Sequence, residues 1–494
     1  MPREDYIVSI GLEVHVQLKT HSKMFCACPT GFGAEPNTHT CPTCLGLPGA
    51  LPVLNKGAIE RTIQAGLMLG CSTPPVVKWD RKSYFYPDMP KNYQITQFDL
   101  PLCLDGGVPL YELAYPKDHQ KNIANPGKTV ALTRIHLEED VAKSTHHEGF
   151  SSIDFNRAGT PLMEIVSEPD IDDPEEAVAY LNSLRQILVY GDISDADMEK
   201  GQMRCDVNIS VRPHGQKELG EKIELKNLNS TSAVRRSLHA EIERQVKACD
   251  EGEPLIQSTR RWDDIAGVTV LMRTKENADD YRYLPDPDLL PVRTEALVAL
   301  ARQTVPELPH EKCDRFVADF GITEYDASVL ASEQALANYF EKAAAGTSGA
   351  IPKKIANWII NNVLAALNES DTHNDIGDCP VTPEALRSIV ELVEAGTVTN
   401  GQAREIFTDL FSDPTTEGGD PAAIAKAKGF EPADSGEIER FIDEAITANP
   451  DKAAEIQAGN DKLINWLTGQ VMKASQGKAN PKQVGDVLRE KLLS

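Results

Sequence analysis

The segment from Ile7 to Leu18 constrains the chain more than any other: Val8, Ile10, Leu12, Val14, Val16 and Leu18 fill every even position, with Glu13 and His15 between them. A period of two marks a strand covered on one face, so the even positions enter a core and Glu13 and His15 share the opposite face. Two residues along one strand, they lie about 7 Å apart. The pattern returns from Arg134 to Asp140, where Ile135 and Leu137 point one way while Arg134, His136, Glu138 and Asp140 point the other, and Glu139 faces away. From Arg204 to Arg212, Cys205, Val207, Ile209 and Val211 point inward and Arg204, Asp206, Asn208, Ser210 and Arg212 outward; Glu224 and Lys226 repeat it once more.

Alternation through roughly the first 290 residues predicts an antiparallel sheet in an α+β domain. Two helices interrupt it. One starts at Pro174, capped by Asp173, and carries Val178, Leu181, Leu184 and Leu188; the other carries Val234, Leu238, Ile242 and Val246. Three prolines between Tyr283 and Pro291 exclude a regular element there, which sets a boundary at residue 293. Helical spacing then dominates, broken near Gly346 to Pro352 and again from Asp413 to Pro421. The expected parts are a catalytic domain (1–293), an all-α domain (294–411) and a small all-α tail domain (412–494).

The net charge of -25 repels polyanions, so any nucleic-acid contact has to be local. From Lys462 to Ser494 six Lys or Arg face two acidic residues, either a phosphate-binding surface or a solvated helix face. No apolar run approaches the roughly 20 residues that cross a bilayer, and a cytoplasmic protein without membrane contact is expected.

The charged strand faces admit two readings, an ordinary solvated surface or a site. Carboxylates, imidazoles and guanidiniums recurring on successive strands favour the site, because solvated strand faces prefer Thr, Ser and Lys. Carboxylates packed together need a cation, and oxygen ligands with an occasional imidazole suit Mg²⁺, which keeps positions for phosphate oxygens. Magnesium-assisted phosphoryl transfer follows as the hypothesis. No Gly-x-x-x-x-Gly-Lys-Ser/Thr loop and no Gly-x-Gly-x-x-Gly occurs, so metal and basic side chains would hold the phosphates of ATP. The segment from Asp80 to Gln94 interleaves Lys82, Tyr84 and Lys91 with prolines and other aromatics; it is either a rigid holder of phosphates and a stacked base or a packed surface loop.

Cys26-x-Cys28, twelve residues and Cys41-x-x-Cys44 supply four thiolates spaced for a structural tetrahedral zinc, a metal-free thiol cluster being the alternative.

The blocks Gly11-Leu-Glu-Val-His-Val-Gln-Leu18, Tyr84-Phe-Tyr-Pro-Asp-Met-Pro-Lys-Asn-Tyr-Gln94, His136-Leu-Glu-Glu-Asp140, Asp154-Phe-Asn-Arg-Ala-Gly-Thr-Pro-Leu-Met-Glu-Ile-Val166 and Arg273-Thr-Lys-Glu276 with Asp280-Tyr-Arg-Tyr283 stand in this order. They closely resemble the B subunit of aspartyl/glutamyl-tRNA amidotransferases, and the likeness continues more loosely through the helical region and tail. It implies a cradle related to the glutamine synthetase catalytic fold, working in a heterotrimer with a glutaminase A subunit and a small C subunit on Glu-tRNA(Gln), Asp-tRNA(Asn) or both. A tail reading the tRNA body is implied as well. By the same resemblance Glu13, His15, Glu138 and Glu164 are metal and phosphate-site residues with Asp206 and Lys82 nearby, and Lys82, Tyr84, Lys91, Arg204 and Lys275 are candidates for the nucleotide. The strand pattern reaches Glu13, His15, Glu138 and Asp206 unaided. It does not reach Glu164, because Leu162 and Val166 share its face, and it leaves Glu139 as a rival to Glu138.

A free carboxylate will not accept ammonia, so ATP would first convert it to an acyl phosphate. No Gly-x-Cys-x-Gly elbow and no Ser-Ser run beside a Gly-rich loop supplies a glutaminase nucleophile, which implies a partner that releases ammonia. The rival class is a non-catalytic tRNA-binding scaffold.

Overall fold

A computed structural model of the chain describes residues 5–274, 281–370, 372–373, 375–430, 435–457, 462–475 and 481–493. It divides into two compact units, Met1–Pro309 and His310–Ser494.

The first unit is built on a nine-stranded sheet whose central strand β1 is Tyr6–Gln17. Small sheets and edges come next in the chain: β2 (Asp80–Ser83), β3 (Tyr93–Thr96), β4 (Cys103–Leu104) and β5 (Gly107–Pro109). The remaining long strands are β6 (Thr129–Glu139), β7 (Pro161–Ser167), β8 (Met203–Pro213), β9 (Ile223–Lys226), β10 (Ser258–Asp263) and β11 (Val268–Thr274). Their order across the sheet is β11-β10-β9-β8-β1-β7-β6-β4, with β5 also pairing β6. The ladder is antiparallel except between β9 and β10, which run parallel because α3 (Thr231–Glu251) makes the crossover between them.

One face of this sheet is the core. Ile10, Leu12, Val14 and Val16 of β1 are buried with Val207 and Ile209 of β8. Against them lie Leu181, Leu184 and Leu188 of α2 (Pro174–Tyr190) and Val234, Leu238 and Ile242 of α3. Each helix starts where the sequence supplies a cap. The Asp173 carboxylate accepts the Glu175 amide with Pro174 in the first turn, and the Ser230 hydroxyl accepts the Ala233 amide. Gly252 ends α3 with φ 71°, a left-handed turn that a side chain would resist.

Three features differ from the expectation. A further helix, α1 (Lys56–Met68), packs Ile59 and Ile63 into the same core and is capped by the Asn55 side chain, which accepts the Ala58 amide. The proline-rich segment is partly regular: Leu284–Pro285 (β12) pairs with Arg81 and Asp80 of β2, and Arg81 clamps Asp286 at 2.8 Å and Asp288 at 3.0 Å. Two residues suffice for this bridge, since a proline at a strand edge needs no donor there. The first unit also runs past residue 293, because α4 (Glu295–Ala301) packs onto α1 and buries Ala301 in its core.

The second unit is helical. One apolar cluster runs from Phe316 to Ala425 around Phe340, Ile355 and Ile389, and a separate one gathers Ile438, Ile442, Leu467, Val471, Val484 and Leu488. The sequence boundary at residue 412 therefore falls inside the first cluster, which takes in Ile424 and Ala425. Between Trp358 and Leu364 the backbone opens into a π-helical turn, Ile359–Val363. Among the described residues no helix is long and apolar enough to cross a membrane.

Leu12 is buried in the middle of the sheet, and replacing it with Ala deletes contacts that neighbouring strands cannot collapse to fill. The Leu12→Ala protein is expected to lose about 2–5 kcal/mol of stability in urea denaturation of the first unit; an unchanged midpoint would contradict the packing described.

Candidate active site and cysteine knuckle

The opposite face of the sheet carries the charges, and strand register brings them together. On β1, Glu13 lies opposite Asp206 of β8, while His15 lies opposite Arg204 of β8 and Glu164 of β7. Glu164 in turn lies opposite His136 of β6. His136 Nε2 donates to Glu164 Oε2 at 2.9 Å, and His15 Nε2 stands 3.3 Å from the same oxygen. Glu13 Oε1 is 3.7 Å from His15 Nε2, and Glu138 Oε2 is 3.8 Å from His136 Nε2. Ligand atoms of Glu13, His15 and Glu164, and of His136, Glu138 and Glu164, each fall within 4.8 Å of one another. Three carboxylates and two imidazoles thus meet around Glu164.

This face is not simply solvated. His136 is 6 %, Glu138 3 % and Glu164 7 % exposed. Two ionised carboxylates 4 Å apart repel by roughly 4 kcal/mol at an effective dielectric constant near 20, so the cluster needs positive charge. Burial works against the His15 cation, yet hydrogen bonding and charge from Glu164, with Glu13 and Glu138, lift its pKa to about 9. Burial likewise opposes ionisation of Glu164, but His136 and then His15 outweigh it and hold that carboxyl well below its usual range. Glu13 is pushed up, first by burial and then by Glu164. The group is an acidic pocket held together by imidazoles, and its donor set fits a hard divalent cation.

Positive charge surrounds it. Lys82 of β2 is partly buried, which lowers its pKa, but Glu138 and Glu164 more than reverse that, and its Nζ lies 4.9 Å from the Tyr281 ring centroid. On the other flank Lys226 donates to Asp206 at 2.5 Å and sits 3.3 Å from Glu224. Arg204 Nη2 binds Asp140 at 2.9 Å, and Gln17 Nε2 donates to the other oxygen of Asp140 at 2.8 Å.

Glu138 and Glu139 have separate fates. Glu138 faces the cluster and accepts from Thr96 Oγ1 at 2.8 Å. Glu139 turns to the far side of β6, where it pairs with Lys91 and accepts the Ile95 amide at 2.9 Å. Lys91 therefore stands away from the cluster, with Phe25 and Tyr93 beneath it, at the wall of a cavity of about 130 Å³ next to the cysteines. In the Asp80–Gln94 stretch Met89 is buried and Tyr84 half-buried, its pKa raised to about 12 mainly by burial, whereas Phe85 and Tyr86 are exposed. Lys275 lies outside the described residues. His136 is the member that the strand pattern placed on this face without giving it a role.

The four cysteines converge as well, with their sulfurs within 4.8 Å of one another. Cys41 and Cys44 Sγ are 3.8 Å apart, which matches the edge of a tetrahedron of sulfurs at about 2.3 Å from zinc, roughly 3.8 Å. The Cys44 thiol is pulled down to about 4, chiefly by the hydrogen bond from Cys26, while burial drives Cys28 up to about 11. Four sulfurs gathered in this way are a donor set that fits a thiophilic cation.

Residues 8–299 match the family described as the GatB/GatE catalytic domain, and residues 338–492 match the GatB domain. The chain is 52% identical over 491 residues to the aspartyl/glutamyl-tRNA(Asn/Gln) amidotransferase B subunit from Methylacidiphilum infernorum, covering 99% of each. It is 48% identical over 493 residues to the B subunit from Opitutus terrae, covering 99% of this chain and 100% of that one. With the B subunit from Carboxydothermus hydrogenoformans it shares 46% identity over 495 residues and 99% of each. The chain belongs to the family of aspartyl/glutamyl-tRNA(Asn/Gln) amidotransferase B subunits.

Proposed function

We propose that the cluster around Glu164 is where the side-chain carboxylate of a misacylated Glu-tRNA(Gln) or Asp-tRNA(Asn) is phosphorylated by ATP and then amidated. The chain acts as the B subunit of a ligase that forms a carbon–nitrogen bond, with glutamine hydrolysed by a partner. The observation that carries this reading is the meeting of Glu13, His15, Glu138 and Glu164, joined by His136, on one partly buried patch flanked by Lys82. Bound there, Mg²⁺ would neutralise phosphate charge. Glu13, Glu138 and Glu164 would hold it with His15 or His136. Lys82, aimed at the same patch, stabilises the charge that spreads over the transferring phosphoryl oxygens.

The sheet would serve as a cradle of the glutamine synthetase type. The helices of the second unit would form a helical domain through Ala425 and a tail beyond it, and the basic excess of the tail would meet the tRNA backbone. Ammonia would come from a glutaminase A subunit, with a small C subunit completing a cytoplasmic heterotrimer. Cys26, Cys28, Cys41 and Cys44 would hold a structural zinc.

In the reconstituted enzyme, Glu164→Gln should lower ATP-dependent amidation about 100-fold or more, the scale of losing several kcal/mol of charge stabilisation, while tRNA binding by filter retention stays intact. Full activity in that variant would favour the scaffold reading. The purified chain alone is expected to hydrolyse no glutamine, and ammonia release from it would overturn the division of labour. Stripping zinc with a chelator should lower the melting temperature of the full chain, with zinc restoring it; an identical melting curve would leave the cysteines without a structural metal.

A further inference from the structure

Lys23 is the anomaly of the first unit. Its side chain is among the largest fully buried ones, with 1 % of the residue exposed. Among the described residues no carboxylate pairs with it. Moving an ammonium out of water without a counter-charge costs several kcal/mol, so a buried lysine persists only where something supplies negative charge. Among the described residues its partners are three. Lys23 Nζ donates to the His39 carbonyl at 2.7 Å and the Phe155 carbonyl at 3.1 Å, and it lies 3.7 Å from Cys44 Sγ. The carbonyls satisfy two of its protons with dipoles. The third points to sulfur, the one of these three partners able to bear a full negative charge.

The position is built for this chain segment. Lys23 Cδ and Cys44 Cβ both lie against Gly159, 3.4 Å and 3.7 Å from where its β-carbon would stand, so stem and cysteine pack on the same glycine, whose φ of 84° disfavours a side chain. The Cys41 amide approaches the same sulfur from another side at 3.2 Å. Four thiolates around a divalent ion carry a net charge of -2, and one fixed cation at their edge halves it.

We propose that Lys23 is the resident counter-cation of the four-cysteine site, a positioning residue that steadies its charge and ties it to the loop before β7. The proposal rests on the reading of Cys26, Cys28, Cys41 and Cys44 as a metal site. Lys23 spans that site and the Phe155 carbonyl, which belongs to the loop running into the strand of Glu164. The group it serves is a soft cation in a tetrathiolate rather than a phosphate or a carboxylate, since its ammonium is enclosed by two carbonyls and a sulfur.

The test measures zinc per chain by atomic emission and zinc affinity by competition with a chromophoric chelator, in the full chain and in Lys23→Met, Lys23→Gln and Asn156→Ala. Lys23→Gln keeps an N–H donor, one atom shorter in reach, and removes the charge. Asn156→Ala removes the bonds of Asn156 to the His39 amide and the Glu35 carbonyl, and so loosens the knuckle without touching Lys23. Both Lys23 variants are expected to bind zinc about 10- to 100-fold more weakly, with a shifted sulfur-to-metal charge-transfer band after cobalt substitution. Asn156→Ala should melt earlier and bind zinc as the parent does. If the parent holds no zinc, the metal reading fails and this proposal with it. If the parent holds zinc and Lys23→Gln binds it within twofold with an unmoved cobalt spectrum, Lys23 is only a backbone tether and the proposal alone is overturned; Lys23→Gln decides this even should Lys23→Met not fold.

Discussion

Register between β1 and its two neighbours is the constraint on which the rest depends. Because side chains alternate along a strand, a slip of one residue would turn Glu13 and His15 into the core and expose Leu12 and Val14. Fully burying each of these aliphatic side chains contributes about 1.5–3 kcal/mol, and nine such positions on β1, β7 and β8 share one core with α2 and α3. The slip is therefore forbidden by far more energy than the charged face costs. Apolar packing on one side of the sheet fixes the positions of polar atoms on the other, so Glu13 stands opposite Asp206 and His15 opposite Glu164 with no loop involved. A site on strands is held more tightly than one on loops, which suits chemistry that depends on alignment.

Electrostatics then explains why this face is stable before a cation arrives. Glu164 is the shared element: both imidazoles address one of its oxygens, and it stays ionised because they are there. Glu13, at the rim, is the carboxylate that burial and Glu164 make reluctant to ionise. The pocket is poised unevenly, with one carboxylate locked and one adaptable. Lys82 and Lys226 stand on two flanks of the carboxylates, so an anion entering between them would meet cations.

Much of this was legible because the physics of a half-covered strand is local. Glu13, His15, Glu138 and Asp206 follow from parity alone, and His136 with them, although parity gave it no task. Glu164 was reached only through resemblance: its strand is apolar on both faces, Leu162 and Met163 being as buried as the glutamate, so no alternation exists to read. The choice between Glu138 and Glu139 was open in sequence. In space only Glu138 faces the cluster, since alternation along β6 sends Glu139 to the far side, where Lys91, from a loop some fifty residues earlier, pairs with it. Lys91 thereby leaves the group of nucleotide candidates that meet the cluster. Helix α1 carried its own signal in Asn55, Ile59 and Ile63, a cap followed by four-residue spacing, hidden beside the more conspicuous cysteine and proline motifs.

The knuckle bears on the site by a short covalent and hydrogen-bonded route. Asn37, in a left-handed turn with φ 61°, takes the Asp154 carboxylate on its amide at 3.0 Å and accepts the Phe155 amide at 2.8 Å. The Met24 amide, between Lys23 and Cys26, donates to the Gly159 carbonyl at 2.7 Å. From there Gly159 and Thr160 are bonded to Asp140 through its carbonyl and amide, both at 2.8 Å, and the Asp140 side chain holds Arg204 beside His15. Glu164 lies four residues beyond Thr160 on an otherwise apolar strand. Met24 and Phe25 are buried in the sheet's own core, so the knuckle is joined to that core at one end and to the loop at the other. Loss of order in the knuckle would thus reach the site at the start of β7, loosening Asp140 and the Arg204 it holds beside His15, while Glu164, on a strand paired with β1 on one side and β6 on the other, stays in register.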